Sequence, residues 1–205
     1  SEGFTPGSVL IDVETEFPGV DESTPYIPKN YDGKEHGPLH LKDALASSIN
    51  IPAVKLLARV GVKDVLDQAF KMGMESLEPT KANISRLGLS MALGGGEIKL
   101  LELSSAYGAF ANGGYKVEPT YILKVEDANG EVLFEKKEVK PSRVVDEKVA
   151  FLINSMLSDN KARLITFGEN SYLNLGSRSV AVKTGTTNDM RDNWTVGWTN
   201  GVVVG

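Results

Sequence analysis

Lys183, Thr184, Gly185 and Thr186 stand in a row at the end of a β-prone run. Side chains alternate along a strand, so Thr184 and Thr186 share a face and two hydroxyls can point at the same anion. Gly185 between them leaves the opposite face bare, which lets a bound peptide approach the backbone and take main-chain hydrogen bonds. Lys183 adds a positive charge beside them, and the set suits a peptide carboxylate. The plain alternative is an edge strand with a surface lysine, and three residues alone do not decide between the two. A second set, Ser48 and Asn50, lies just before Pro52. A hydroxyl and an amide held at a helix break can donate and accept in one small volume, as a proton relay and a substrate clamp require. Here the alternative is that Ser48 or Asn50 caps the helix that begins near Pro52.

These side chains need a corner and a strand to hold them. Residues 1–38 contain Pro6, Pro18, Pro25, Pro28 and Pro38 among several glycines, which predicts an extended, wrapping segment of short strands and turns. Leu41, Ala44 and Leu45 recur at helical spacing, as do Val54, Leu57 and Ala58 up to Gly61. Pro52 lacks an amide hydrogen and starts a helix more readily than it continues one, so residues 48–50 are expected at a corner between two helices. Further helices are expected over 62–72, with Val65, Ala69 and Met72 on one face, and over 98–111 after the turn at Gly94, Gly95 and Gly96. Two β-prone runs, 121–125 and 131–134, flank Asn129-Gly130 and predict a surface hairpin. Helical spacing returns over 146–157, a polar irregular stretch follows over 158–177, and 179–184, 193–199 and 201–204 read as consecutive strands.

Composition narrows the function classes. The chain has 205 residues, 41% hydrophobic, enough for one large domain or two small ones with a real core. Its 27 acidic and 22 basic residues are mixed, with no basic run to track a phosphate backbone, so no nucleic acid partner is expected. The absence of cysteine excludes disulfides, thiolate metal sites and cysteine nucleophiles. No apolar stretch is long enough to span a membrane, and Ser1, Glu2, Gly3, Phe4 and Thr5 do not start like a signal peptide. His36 and His40 are separated by Gly37 and Pro38, which removes the helical face that would make them a metal pair, and they read as loop histidines. The three glycines at 94–96 lack the lysine and preceding strand of a phosphate-binding loop. Trp194 and Trp198 share one face of a strand and read as core or cleft wall. Neither a metal nor a cofactor is expected.

A serine-x-asparagine element followed far downstream by Lys-Thr-Gly is the second and third of three motifs shared by penicillin-binding proteins and serine β-lactamases. The surrounding text is more specific. YIPKNYDGKEHGPLHLKDALASSINIPAVKLLARVG (26–61), LGLSMALGGGEIKLLELSSAYGAFANGGYKV (87–117) and VKTGTTNDMRDNWTVGWT (182–199) closely resemble the transpeptidase domain of class A, bifunctional penicillin-binding proteins. The resemblance covers nearly the whole chain. It implies an α/β fold of the penicillin-binding-protein and serine β-lactamase kind, a helical lobe packed on an antiparallel sheet. It also implies cross-linking of peptidoglycan: a serine attacks the penultimate D-alanine carbonyl of a stem peptide, expels the terminal D-alanine and passes the acyl group to an amine. By the same resemblance Ser48 relays protons, Asn50 holds the acyl side's backbone, and Lys183 supports Ser48 and the substrate carboxylate. Thr184 and Thr186 bind that carboxylate, Gly185 leaves room for the peptide, and the Thr186 amide is an oxyanion-hole donor. β-Lactams fit the same site as mimics of the D-Ala-D-Ala end.

The first family motif, Ser-x-x-Lys, is expected upstream of the text around Phe4 to Ser8, before residue 1, so no nucleophile is expected in this chain and the sheet is expected to be incomplete. Ser158 and Lys161 match the motif formally, and Ser158, Asp159 and Asn160 spell the β-lactamase form of the second motif, but order and setting argue against both. The isolated chain is therefore expected to be inactive as a partial transpeptidase domain over 1–205. Apolar surface would then be covered by rearrangement, a partner chain or an upstream fragment. The parent is expected to be extracytoplasmic and membrane-anchored, with a preceding glycosyltransferase domain. The rival readings are a non-catalytic module that binds cell-wall peptide and, with less support, a β-lactamase.

Overall fold

A computed structural model describes residues 3–20, 24–137, 140–187 and 192–205. The N-terminal dipeptide and part of the expected turn between the last long strands, residues 188–191, lie outside the described residues. The proline-rich beginning forms strand β1 (Val9–Asp12), paired antiparallel with β2 (Gly37–His40), with Val9 opposite His40 and Asp12 opposite Gly37. Period-two alternation turns Leu10 and Asp12 inward and leaves Val9 and Ile11 exposed.

Helix α1 (Leu41–Ala46) follows directly, then α2 (Asn50–Val60) and α3 (Val62–Lys71). Between the last two, Gly61 has φ 97°, a conformation that disfavours any residue with a Cβ. Residues 75–93, which carry no clear periodicity, fold as a 3₁₀ turn (Glu75–Leu77), α4 (Lys81–Leu87) and a second 3₁₀ segment (Gly88–Leu93). The Thr80 hydroxyl accepts from the Asn83 amide at 3.1 Å and starts α4, while Gly88 at φ 49° ends it. Ile84, Leu87 and Met91 then pack on Leu66, Ala69 and Leu77. Helix α5 (Leu100–Ala111) completes this lobe.

A two-residue strand β3 (Tyr115–Lys116) leads to the hairpin of β4 (Lys124–Glu126) and β5 (Val132–Glu135), every residue of which is exposed. Asp127 shapes its turn by accepting from the amides of Asn129 and Glu131, at 2.9 and 2.8 Å. Strand β6 (Ser142–Arg143) pairs back with β3. Asp146 caps α6 (Glu147–Ser158) by accepting from Lys148, and α7 (Leu164–Phe167) interrupts the irregular stretch beyond it. Strands β7 (Ala181–Thr186), β8 (Asn193–Trp198) and β9 (Val203–Val204) form an antiparallel sheet in that order.

This sheet is fastened to α5 and α6 through Trp198. Its ring lies 5.0 Å from Tyr107 and 6.3 Å from Phe110, and its Nε1 donates to Asn154 Oδ1 at 2.8 Å. Leu157, Ala181 and Val196 close the same cluster. The α1–α2 corner is tied to the chain after α6 by the buried Ser47 hydroxyl, which donates to the Ala162 carbonyl at 2.9 Å. The corner and β7 are thus both held against α6 and the chain that follows it. The architecture is mixed α/β, helices packed against small antiparallel sheets, as the resemblance implied.

Candidate active site

Helix α1 ends in a Schellman turn. The Ile49 amide reaches the Ala44 carbonyl at 2.9 Å and the Ser48 amide reaches Leu45 at 3.1 Å, while Ile49 and Ala44 share an apolar cluster. That turn requires a left-handed residue at position 48, normally glycine. Ser48 occupies it at φ 57°, and among the described residues no other non-glycine residue has a positive φ. A side chain there costs about 1–2 kcal/mol, so the fold tolerates strain to keep a hydroxyl where glycine would have none.

Neither Ser48 nor Asn50 caps the next helix. The N-cap is Ile49, without a side-chain bond. The first-turn amides of α2 are satisfied from outside: Asn30 Oδ1 accepts from Asn50 at 2.9 Å and from Ile51 at 3.4 Å. Pro52 has no amide to satisfy, so the first-turn donors are accounted for. The Asn50 side chain is free for another task and donates to the Lys29 carbonyl at 2.8 Å.

Lys183 comes from β7, 135 positions from Ser48, and its Nζ donates to Ser48 Oγ at 2.6 Å. Its other acceptor is the Thr184 carbonyl, also at 2.6 Å, and among the described residues no carboxylate forms an ion pair with it. Burial among neutral partners pushes the amine down from the usual lysine range to about 8. A lysine so placed can exchange a proton with a neighbouring hydroxyl near neutral pH.

Corner and strand face each other across a cleft of about 700 Å³. Thr184, Gly185 and Thr186 line it beside Ser48, Asn50 and Lys183, and Trp194 supplies a wall while Trp198 is core. A Cβ built on Gly185 would meet nothing within 4 Å, so that face is open for a ligand. Strand β7 ends its sheet, with β8 as its one strand neighbour among the described residues, which leaves a row of backbone donors and acceptors unpaired. Gly94 closes the far end. At φ 93° a Cβ there would come within 3.0 Å of Thr187 Cγ2, so its glycine serves a close approach as well as a turn.

Ser158, the formal nucleophile match, is the last residue of α6 and lines a different cavity with Phe151 and Ser179. Asn160 in the same string bonds Asn174 at 2.9 Å. His36 lies in the loop before β2, as expected, with its Nδ1 2.7 Å from Asp12 Oδ2, a fully buried carboxylate. His40, by contrast, is the last residue of β2 and not a loop histidine. Asp12, Asn30 and Lys29 support the site, and no motif in the sequence marks them. The signal for Asp12 was an acid at an inward position of an apolar strand, but its partner Asn30 is 18 residues away and has no local signature.

The family described as "Penicillin binding protein transpeptidase domain" matches residues 12–203. Penicillin-binding protein 1A of Aquifex aeolicus is 38% identical over 212 residues, which covers 97% of this chain and 27% of that protein. Penicillin-binding protein 2D of Bacillus subtilis is 35% identical, covering 96% and 28% respectively. The crystal structure of penicillin-binding protein 1A from Haemophilus influenzae superposes with a TM-score of 0.76 at 26% identity, covering 95% of this chain and 33% of that one. The chain therefore spans about a quarter of the length of the curated relatives it matches. With the family matched from near one end to the other, the chain belongs to the transpeptidase domain of class A penicillin-binding proteins.

Proposed function

We propose that these residues form the greater part of a peptidoglycan D,D-transpeptidase domain, and that the nucleophilic serine comes from a segment other than these 205 residues. The observation that carries the reading is the 2.6 Å bond between Lys183 Nζ and Ser48 Oγ at the foot of an unpaired strand edge. A stem peptide ending in D-Ala-D-Ala adds along the β7 edge, its carboxylate taken by Thr184 and Thr186 with the charge of Lys183 behind them. Asn50 holds the acyl-side backbone. When the nucleophile, giving its hydroxyl proton to the lysine base of the same outside segment, attacks the penultimate carbonyl, the oxygen gains negative charge and the Thr186 amide donates to it. As the carbon–nitrogen bond breaks, Ser48 passes a proton from Lys183 to the leaving D-alanine amine. The acceptor amine of a neighbouring strand later returns a proton by the same route and takes the acyl group. β-Lactams enter the cleft as carboxylate-bearing cyclic amides and stop at the acyl stage.

Support for an outside nucleophile comes from the cleft lining: Ser48, its one serine among the described residues, is followed three residues later by Ile51 and not by the lysine of a Ser-x-x-Lys motif. Val9 and Ile11 on β1 and Phe151 on α6 are 55%, 45% and 68% exposed, apolar surface that a further segment or a partner chain would cover. The Nε and Nη1 of Arg163, a residue 1% exposed, have no acceptor among the described residues. The parent is proposed to act outside the cytoplasmic membrane, anchored there behind a glycosyltransferase domain. Among the described residues no helix is long and apolar enough to cross a membrane.

Intact-mass spectrometry after incubation with benzylpenicillin tests the reading. The purified 205-residue chain is expected to show no adduct, and the full-length protein is expected to gain one penicilloyl group on a serine followed three residues later by lysine. An adduct on the isolated chain contradicts the missing nucleophile. No adduct on the full-length protein favours a module that only binds cell-wall peptide, and rapid loss of the adduct to water favours a β-lactamase.

A further inference from the structure

Behind the corner runs a chain of buried polar groups that the proposed reaction does not use. Asp12, at the end of β1, is fully buried, and Asn30 is 7% exposed. A buried carboxylate is costly unless its oxygens are hydrogen-bonded, and here they are. Asn30 Nδ2 lies 2.9 and 2.8 Å from the two oxygens of Asp12, and the His36 amide and Nδ1 lie 2.9 and 2.7 Å from Oδ2. The same Asn30 nitrogen also reaches the Lys34 carbonyl at 2.8 Å.

This arrangement leaves the Asn30 side chain one orientation. Its nitrogen can only donate and faces acceptors; its oxygen can only accept and faces the amides of Asn50 and Ile51. Reversing the amide would set oxygen against carboxylate and nitrogen against N–H. The first turn of α2 is thus held from outside by an amide that is itself held by a buried carboxylate. The next residue along, Lys29, accepts from the Asn50 side chain. Lys55, on α2, donates to the Ile11 carbonyl at 2.6 Å and so ties β1 to the same helix from a second point.

We propose that Asn30 is a positioning residue for the transpeptidase site: locked by Asp12 and His36, it sets where α2 begins and so fixes Asn50 and the adjoining Ser48 against Lys183. The proposal rests on the reading of this cleft as a penicillin-reactive transpeptidase site. Displacement of a reacting or clamping group by about 1 Å can cost on the order of 100-fold in rate, so loosening this support acts on the rate of acylation and not merely on the amount of folded protein.

The test uses the full-length protein and a fluorescent penicillin, with limiting acylation rate and final labelled fraction measured separately. Asn30→Ala is expected to lower the limiting rate by about 10- to 100-fold while the labelled fraction at completion stays close to that of the native protein. Because Asn30 acts through Asn50, the Asn30→Ala/Asn50→Ala double variant is expected within about threefold of the slower single variant. Unchanged rates in Asn30→Ala, a loss confined to the labelled fraction, or effects that multiply in the double variant overturn the positioning role. If Asn30→Ala does not fold, His36→Gln decides. This milder change is expected to slow acylation by about 3- to 10-fold, and an unchanged rate overturns the proposal. A native protein that takes no label overturns the transpeptidase reading as well, which separates the two failures.

Discussion

Replacing Ser48 by alanine and by glycine separates the strain at the α1–α2 corner from the use made of its hydroxyl. Both variants lose the bond to Lys183, and a hydrogen bond to a buried amine of this kind is worth about 1.5–3 kcal/mol. Only glycine also relieves the left-handed backbone at φ 57°. That relief is about 1–2 kcal/mol, offset by about 0.5–1 kcal/mol of extra freedom that glycine gives the unfolded chain. Ser48→Gly should therefore be more stable than Ser48→Ala by about 0.5–1 kcal/mol, or roughly 1–4 °C in Tm for a chain of this size. Thermal and urea unfolding of the two variants side by side provides the measurement. Acylation by penicillin, read on the full-length protein, should fall by the same factor in both. Equal stability, or a more stable alanine variant, refutes the strain account; a glycine variant that acylates at the native rate refutes any use of the hydroxyl.

The remaining expectations concern charge, packing and the hairpin. Lys183 has a folded pKa of about 8, below its unfolded value of about 10.5. In the window between those values the unfolded chain binds more protons, so stability rises with pH by up to about 1.4 kcal/mol per unit. A Lys183→Met variant should lose that rise in chemical-denaturation profiles from pH 7 to 11. Trp198→Ala, which removes the ring packed on Tyr107 and Phe110 and strands Asn154, should destabilise by about 3–5 kcal/mol in urea unfolding. Replacing residues 121–136 with a short Gly-Ser linker should change stability by about 1 kcal/mol or less and leave acylation unaltered, since β4 and β5 are exposed throughout.

Where local rules dominate, the residues announce their structure. Pro52 and the helical runs on either side predict the corner, which lies at residues 47–49 with α2 starting at Asn50. Asn129-Gly130 between β-prone runs predicts the hairpin, and the valine- and tryptophan-rich end predicts three strands with Trp194 and Trp198 on one face. What stays hidden depends on distant partners. Residues 81–93 are helical because Ile84, Leu87 and Met91 pack on α3, and glycines at 88 and 94 break the pattern into pieces too short for periodicity to reveal. Strands β3 and β6 have two residues each, below any alternation. In the candidate site, Lys183 and Ser48 can be picked out by residue type and they meet in one cleft, but the strain at Ser48 is a backbone property. The Asp12–Asn30 lock joins two segments whose proximity follows only from the finished fold.

The most direct test of a carboxylate-gripping cleft is an NMR titration of the protein with an acyl-D-Ala-D-Ala peptide. The predicted result is saturable shifts in the backbone amides of Thr184, Gly185, Thr186 and Asn50 and in the Lys183 side chain, largely lost when the peptide's C-terminus is amidated. Shifts centred elsewhere, or equal shifts with the amidated peptide, contradict it.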